Sequence, residues 1–211
     1  MAYGEVRGSG STLNSMTEQP ETLPQQQGQQ HSYCLAVQSG KLDALHVHYH
    51  DTEYGFPLSE DNLLFERLVL EINQAGLSWS TILKKKDHFR VAFDGFDLQQ
   101  VASYTTEDIE RLMQDAGIIR NRLKIEATIE NARRLLVLKE QHGSFRSWLD
   151  QHHPRTKADW VKLFRQTFRF VGGEIVGEFL LSTGYLPEAH HPDCPVQETI
   201  LQLSPPWSRR P

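Results

Sequence analysis

The chain has 211 residues, of which 38% are hydrophobic, and this is enough for one domain of ordinary size with a buried core. The formal net charge of −5 and the pI near 6.0 exclude a globally basic protein, so any binding to nucleic acid must depend on local patches. The sequence contains neither an apolar run of roughly 18 residues nor a hydrophobic secretory segment, which predicts a cytoplasmic protein with no membrane partner.

Residues 1–32 are poor in large apolar side chains and contain a tract rich in Gln and Pro, ETLPQQQGQQH. Such a segment cannot bury enough surface to order itself. We therefore expect residues 1–32 to be disordered or partly added by cloning, with Met16 as an alternative start. A folded domain is predicted for residues 33–196, followed by a loose tail over residues 197–211.

Between these segments the apolar pattern is helical, and no stretch alternates with the period of a strand. Ser59 is predicted to cap a helix whose first turn carries Glu60 and Asp61. Ser78 is predicted to cap the next helix, which runs from Trp79 into the lysines at 84–86. The sequence therefore predicts an all-α fold.

The second half of the chain continues this pattern. Thr105 followed by Asp108 predicts a capping box for a short helix that ends near Gln114. Gly117, in the segment DAGIIR, supplies a tight turn, and a long helix follows through Leu136. Further helices are predicted at 144–151, 159–167 and 173–182.

Cys34 and Cys194 are the only cysteines of the sequence, and each has a histidine in its vicinity, His50 and His190 respectively. Together the four side chains would complete a tetrahedral Cys2His2 zinc site. Such a site is structural, because four protein ligands leave no open position for water. A disulfide between the two cysteines is the alternative in a secreted protein. Since no secretory segment is present, reduced thiols that bind one structural zinc ion are the favoured interpretation.

Glu71 lies within the apolar helical segment LVLEI, where a buried carboxylate costs on the order of several kcal/mol unless it is paired or used. One interpretation places it on the solvent side of the helix beside Arg67, its i−4 neighbour. The other places it in the wall of a pocket with the aromatic rings of Tyr49, Tyr54 and Trp79. A carboxylate among aromatic rings suits a flat, cationic ligand, because both attract positive charge.

The turn at Gly117 is a candidate for contact with nucleic acid. Two helices that meet at a glycine turn present consecutive backbone N–H groups, which can bind a phosphate. The candidate residues of this turn are Gly117, Ile118, Arg120, Arg122 and Lys124. The alternative is a plain corner between two helices. In that case the basic residues are solvated and interact only with the helix dipole.

Long segments of the chain closely resemble the 3-methyladenine DNA glycosylase I family: YHDTEYG, LFERLVLEINQAGLSW, ILKKKDHFR, FDGFD and QDAGIIRNRLKIEATIENAR. The resemblance covers approximately Cys34 to Cys194. It implies an all-α helix–hairpin–helix glycosylase fold whose ends are joined by one zinc ion. The implied zinc ligands are Cys34, His50, His190 and Cys194, where His190 rather than His191 fits the family's spacing. Glu71, Tyr49 and Trp79 would form walls of the pocket for the damaged base, and the Gly117 turn would clamp the DNA backbone.

The resemblance implies an enzyme that flips 3-methyladenine out of alkylated double-stranded DNA and hydrolyses its N-glycosidic bond. We expect the protein to be a monomer. Methylation at N3 makes adenine cationic and hence a good leaving group, so a general acid is unnecessary. Many helix–hairpin–helix glycosylases carry an aspartate after the hairpin, but this chain has Leu135-Leu136-Val137-Leu138 in that region. No lysine is placed to form a Schiff base, so DNA strand cleavage is not expected.

The chain also departs from the family pattern. Ala36 and Tyr54 stand where the family usually has tryptophan, and the segment between Cys34 and His50 is longer. A lost stacking ring removes on the order of 1–3 kcal/mol of base binding. One alternative is therefore a zinc-tied module that binds DNA lesions without turnover. A zinc hydrolase is a further alternative, and it would require an open coordination position.

Overall fold

The computed structural model of the protein describes residues 27–209 and the side chains of residues 33–209. These residues form eleven α-helices and two short 3-10 helices, with no strands among them, so the predicted all-α fold is confirmed over this range. None of the described helices is long and apolar enough to cross a membrane. The helices are α1 Gln27–Gln38, α2 Ala44–Thr52, α3 Asp61–Gln74, α4 Trp79–Ala92, α5 Leu98–Ala102, α6 Thr106–Gln114, α7 Arg122–His142, α8 Phe145–His152, α9 Lys157–Thr167, α10 Gly173–Ser182 and α11 Pro195–Gln202.

Local capping determines where several of these helices begin. Ser78 Oγ accepts a hydrogen bond from the Thr81 N–H at the start of α4 (3.3 Å), and Thr105 and Asp108 form the capping box of α6. Both caps were predicted from the sequence. The predicted cap of α3 is wrong, since this helix begins at Asp61 with Glu60 as its N-cap and without a side-chain capping bond.

Helix α3 lies at the centre of the fold. It packs against α4, α7, α8 and α10, and every residue from 64 to 73 is buried. A helix enclosed by other helices has no solvent side, in contrast to an amphipathic surface helix. Its polar residues, Glu66, Arg67 and Glu71 among them, must therefore find partners or line a cavity within the protein.

The two ends of the chain differ from the expected domain bounds. Residues 1–26, expected to be disordered, lie outside the described residues, and helix α1 begins at Gln27 rather than at residue 33. The segment after residue 196 was expected to be loose. Instead it continues α11, buries Ile200 to 1% exposure and donates the Trp207 N–H to the Gly184 carbonyl (3.1 Å). These contacts extend the folded domain beyond residue 196.

Gly55 explains how closely the C-terminal segment approaches α2. Its φ is +82°, a conformation that side chains disfavour, and a Cβ atom there would lie 2.9 Å from Ala189 Cβ and 3.1 Å from Ile200 Cδ1. The absence of a side chain at Gly55 therefore lets the C-terminal segment pack against the residues that follow α2.

Candidate functional site

The four predicted metal ligands lie together in the folded protein. Cys34 comes from α1, His50 from α2, and His190 and Cys194 from the segment before α11. All four side chains are buried, and their ligand atoms lie within 4.8 Å of one another. Both cysteines are free thiols, so the alternative of a disulfide does not apply.

The distances in this cluster suit a tetrahedral metal ion. Cys34 Sγ lies 3.4 Å from His50 Nε2 and 3.7 Å from His190 Nδ1, and Cys194 Sγ lies 3.7 Å and 3.6 Å from the same two nitrogens. Bond lengths of about 2.3 Å to sulfur and about 2.0 Å to nitrogen give a sulfur–nitrogen edge of about 3.5 Å in a tetrahedron. The buried cluster can therefore hold one metal ion.

Neighbouring groups orient the two histidine rings. His50 Nδ1 lies 2.6 Å from Asp51 Oδ1, and His190 Nε2 donates to the Tyr54 carbonyl over 2.7 Å. Each contact holds one ring nitrogen and turns the other nitrogen toward the two sulfur atoms. Burial lowers the pKa of His190 to about 4, which favours the neutral imidazole that metal binding requires.

A cavity of about 680 Å³ lies beside this cluster. The predicted residues Tyr49, Tyr54, Glu71 and Trp79 all line it, and they come from α2, the turn after α2, α3 and α4. The ring centroid of Tyr49 lies 5.1 Å from that of Trp79 and 5.7 Å from that of Tyr54. Ala36 also lines the cavity. The structure therefore combines aromatic walls with a carboxylate, as expected for a site that binds a flat cation.

Glu71 is only 4% exposed, and no donor among the described residues makes a hydrogen bond to its carboxylate. Burial raises the pKa of Glu71 to about 8; the nearby Glu178 carboxylate adds to the rise and Arg67 opposes it. The interpretation that placed Glu71 on the solvent side beside Arg67 is therefore wrong. Arg67 instead binds the Tyr49 hydroxyl (3.2 Å) and Glu53 (3.2 Å).

Several cavity residues were not identified from the sequence. Glu178 of α10 lines the cavity and accepts a hydrogen bond from the Tyr54 hydroxyl (3.2 Å). His46 lies 2.7 Å from Ser80 Oγ through Nε2 and 3.2 Å from the Tyr33 hydroxyl through Nδ1. The signal for Glu178 is the one that identified Glu71, a carboxylate within an apolar helical run, here GEIVGEFLLS.

The turn between α6 and α7 contains Gly117, whose N–H donates to Asp115 Oδ1 (2.7 Å). A Cβ atom at Gly117 would lie 3.0 Å from His88 Cδ2, which explains why a glycine fits here. Ile118 is 3% exposed and belongs to the core, so only its backbone can face a ligand. Arg120 is exposed, whereas Arg122 forms an ion pair with Glu110 (2.6 Å) at the surface.

Lys124 does not lie on this surface, which corrects the expectation that it contacts DNA. It is 5% exposed, and its ammonium group donates to the carbonyls of Asn73 (2.9 Å) and Ala75 (2.8 Å). Its function is to satisfy carbonyl groups at the C-terminal end of α3. The basic run at 84–86 is divided in a similar way, since Lys85 binds the Ala116 carbonyl, the third lysine pairs with Glu53, and only Lys84 is exposed.

Comparisons with known proteins agree with this architecture. The family model described as methyladenine glycosylase matches residues 39–162. The chain is 39% identical over 161 residues to DNA-3-methyladenine glycosylase 1 of Escherichia coli strain K12, covering 67% of this chain and 86% of that protein. It is 34% identical over 171 residues to DNA-3-methyladenine glycosylase of Haemophilus influenzae, covering 72% of this chain and 92% of that protein.

Solved structures show the same fold. The 3-methyladenine DNA glycosylase I of Staphylococcus aureus is 34% identical and matches with a TM-score of 0.68, over 75% of this chain and 94% of that one. A tyrosine-to-phenylalanine variant of 3-methyladenine DNA glycosylase I in complex with 3-methyladenine matches with a TM-score of 0.69, at 34% identity over 75% of this chain and 95% of that one. These matches confirm the family predicted from the sequence. The chain belongs to the methyladenine glycosylase family.

Proposed function

We propose that this protein is a monofunctional DNA repair glycosylase that releases 3-methyladenine from alkylated double-stranded DNA. The observation that carries the proposal is the buried carboxylate of Glu71, which lies in an aromatic cavity without a hydrogen-bond donor among the described residues. The names of the two curated relatives support the same substrate.

The reaction begins with extrusion of the damaged nucleotide, because the atoms of the glycosidic bond cannot be reached inside the duplex. The flipped base enters the cavity and packs against the aromatic wall that Tyr49 and Trp79 form together, which offers stacking to any flat base. N3-methylated adenine carries a positive charge, whereas normal adenine is neutral. The Glu71 carboxylate favours the charged base, because a buried anion gains most from a cation at short range.

The state of Glu71 follows from its surroundings. In the empty cavity its raised pKa of about 8 keeps the carboxyl group protonated near neutral pH. A cationic base at hydrogen-bond distance favours the ionised form instead. Binding of the cation therefore releases a proton from Glu71, and the resulting carboxylate stabilises the positive charge close to the scissile bond.

The proposal of a monofunctional enzyme rests on the cavity lining. Among the described residues, the lining includes neither a lysine that could form a Schiff base with the sugar nor an aspartate. Because the cationic base leaves readily, the residues of the pocket need only bind and orient it. Cleavage of the DNA strand is therefore not part of the proposed activity.

We place the DNA on the side of the protein that carries the helix–hairpin–helix turn. The N–H groups of Ile119 and Arg120 make no hydrogen bond among the described residues and are available to a phosphate, and the Arg120 side chain is exposed. Leu77, 39% exposed, follows Gly76 in the cavity wall and is fixed by a hydrogen bond from Gln74 to its carbonyl (3.0 Å). Its apolar side chain can fill the gap that an extruded base leaves in the stack.

The metal in the proposed enzyme is one structural zinc ion bound by Cys34, His50, His190 and Cys194. Two thiolates and two imidazoles in tetrahedral geometry are a donor set typical of zinc. Bound there, the ion supplies a crosslink between α1, α2 and the C-terminal segment. The fourfold protein ligation argues against a zinc hydrolase, which needs an open position.

The proposal is tested with DNA methylated by a simple alkylating agent. After incubation with the protein, the released bases are separated by chromatography, with boiled protein as the control. We expect 3-methyladenine to be released with multiple turnovers. Tight binding to alkylated DNA without base release would instead identify a lesion-binding module, the alternative that Ala36 and Tyr54 suggest.

A further inference from the structure

Helix α10 brings a second acidic side chain, that of Glu178, into the cavity of Glu71. The Tyr54 hydroxyl donates to Glu178 Oε2 over 3.2 Å and so fixes its orientation. Tyr54 is itself held by ring contacts with Tyr33 and Tyr49, each with centroids 5.7 Å apart. Glu178 Oε1 has no donor among the described residues, so this oxygen is available to a ligand.

Two cationic side chains lie nearby, and neither forms an ion pair with Glu71 or Glu178, although the charge of Lys157 favours the ionised form of Glu178. Arg67 pairs with Glu53, and Lys157 lies 3.7 Å from Glu174, whose side chain is 80% exposed. Among the described residues, the cavity lining contains the carboxyl groups of Glu71, Glu174 and Glu178 but no lysine or arginine. Ionising more than one of these carboxyl groups in an apolar cavity is costly, because like charges repel each other, and a cationic ligand offsets that cost.

Charge also distinguishes the substrate from its undamaged counterpart. Adenine and its N3-methylated form differ by one methyl group, and an extra or missing methyl group gives only weak discrimination in an apolar pocket. The positive charge of the methylated base, shared by its N–H groups, allows a larger difference in binding free energy. Hydrogen bonds that involve an ionised group are stronger than those between neutral groups. A pocket with carboxylates from two helices, α3 and α10, can contact such a cation at more than one edge.

We propose that Glu178 is a second recognition residue, which binds N-alkylated purine cations and sets the preference of the pocket for cationic over neutral bases. This role rests on the proposed function of the same site but concerns recognition rather than bond cleavage. Tyr54 acts through Glu178 as a positioning residue, since its hydroxyl holds the carboxylate toward the cavity.

The test compares the binding of two ligands that differ only in charge and one methyl group. The 3,9-dimethyladenine cation mimics the damaged nucleoside, and 9-methyladenine is its neutral counterpart. Equilibrium affinities are measured for the wild type, for Glu178→Gln and for Glu140→Gln, whose exposed glutamate on α7 provides a matched loss of charge. We expect Glu178→Gln to lose about tenfold or more in affinity for the cation, with little change for the neutral ligand. Glu140→Gln should match the wild type for both.

Tyr54→Phe separates recognition from a structural role. It retains the ring and removes the hydroxyl that binds Glu178. In the wild-type background we expect a several-fold loss of affinity for the cation, but in the Glu178→Gln background we expect no further loss, because the two residues act through one contact. Additive effects of the two substitutions would contradict the positioning role of Tyr54.

The outcomes distinguish this inference from the proposed function. The recognition role is overturned if Glu178→Gln keeps the wild-type affinity for both ligands. It is also overturned if the variant loses affinity for both ligands equally while thermal unfolding shows an intact fold. If the wild type binds the cation selectively in a Glu178-dependent way but releases no base from alkylated DNA, the recognition role is supported and the enzymatic proposal fails. A wild type that binds the two ligands equally overturns the recognition role, whatever its activity on DNA.

Discussion

Arg67 precedes Glu71 by one turn of α3, yet its guanidinium group lies 3.2 Å from Glu53 and forms no ion pair with Glu71. The helical i, i+4 pair that the sequence allowed is replaced by a contact with the segment after α2. This exchange leaves the Glu71 carboxylate facing the cavity. The position of Arg67 therefore determines that the central acidic group of the pocket is available to a ligand.

Glu71→Gln should reduce the excision of 3-methyladenine by roughly tenfold to a hundredfold, the range for one hydrogen bond to a charged group. The substitution preserves shape and removes the charge that binds the cationic base. The measurement is kcat/KM on methylated DNA.

Glu66→Gln is the matched control, because Glu66 is also buried in α3 but binds Arg90 (2.9 Å) and does not line the cavity. The Glu66→Gln variant should be less stable than the wild type but should retain its excision rate. Full activity in a folded Glu71→Gln protein would show that the charge of Glu71 is not used.

The stability of the protein should depend on pH through Glu71. Its pKa is raised from an ordinary value of 4.5 to about 8 on folding, so the folded state binds the proton more tightly than the unfolded state. The free energy of unfolding therefore falls as the pH rises from about 4.5 to about 8, by an amount on the order of a few kcal/mol.

Glu71→Gln removes this dependence. The melting temperature of the variant should be close to that of the wild type near about pH 5 and higher than it near about pH 9. The pKa of Glu178 is raised as well, and its carboxylate contributes to the rise at Glu71, so the difference between the two proteins reports the coupled titration of both groups. A constant difference in melting temperature across this range would contradict the burial of an ionisable group at position 71.

Arg120→Ala should weaken binding to DNA and lower the slope of log K against log salt concentration by about 1, as expected for the loss of one phosphate contact. Arg120 is exposed beside the Gly117 turn. Fluorescence anisotropy over a series of salt concentrations measures the slope. An unchanged slope would place the DNA on another surface.

Lys124→Met should lower the stability of the protein without weakening its binding to DNA, in contrast to Arg120→Ala. The reason is that the Lys124 ammonium group binds the carbonyls of Asn73 and Ala75 inside the protein. Methionine retains an apolar stem but cannot donate, and unsatisfied buried carbonyls cost about 1–3 kcal/mol. We expect a lower free energy of unfolding in urea and an unchanged salt slope. A reduced slope in this variant would mean that Lys124 leaves its buried site to bind DNA.

Cys194→Ser should lower the metal content from about one ion per chain to nearly none and decrease the melting temperature, because metal binding contributes to folding. Elemental analysis of the purified protein measures the content. His191→Gln is the control, since the structure places His190 and not His191 among the four clustered ligands. Retention of metal in Cys194→Ser with loss in His191→Gln would reverse this assignment.

Local features of the fold were predictable, and features that depend on distant contacts were not. The bounds of α10 at Gly173–Ser182 and the capping box at Thr105 depend on neighbouring residues and were predicted. The start of α3 was not: its N-cap Glu60 makes no side-chain capping bond, and its first residue, Asp61, accepts a hydrogen bond from the N–H of Arg146 at the start of α8 (3.2 Å). That contact joins segments far apart in the sequence.

The same distinction applies to the site. Glu71 was identified because an acidic residue in an apolar run is visible in the sequence, but its orientation depends on the helices around α3. Lys124 appeared to belong to the basic surface of the turn, and only the spatial position of the end of α3 shows that it is buried. Glu178 was placed correctly in a helix, but its role required knowledge of where α10 faces the cavity.

The proposed metal site also constrains the order in which the protein can be assembled during synthesis. Cys34 and His190 are separated by 156 residues. When α1 and α2 leave the ribosome, only half of the ligand set exists, and it remains incomplete until nearly the whole domain has been translated. The first thiol is therefore exposed to oxidation or to competing ions during this interval. The maturation of the nascent chain should depend on the redox state and metal supply of its surroundings, even though the finished cluster is buried.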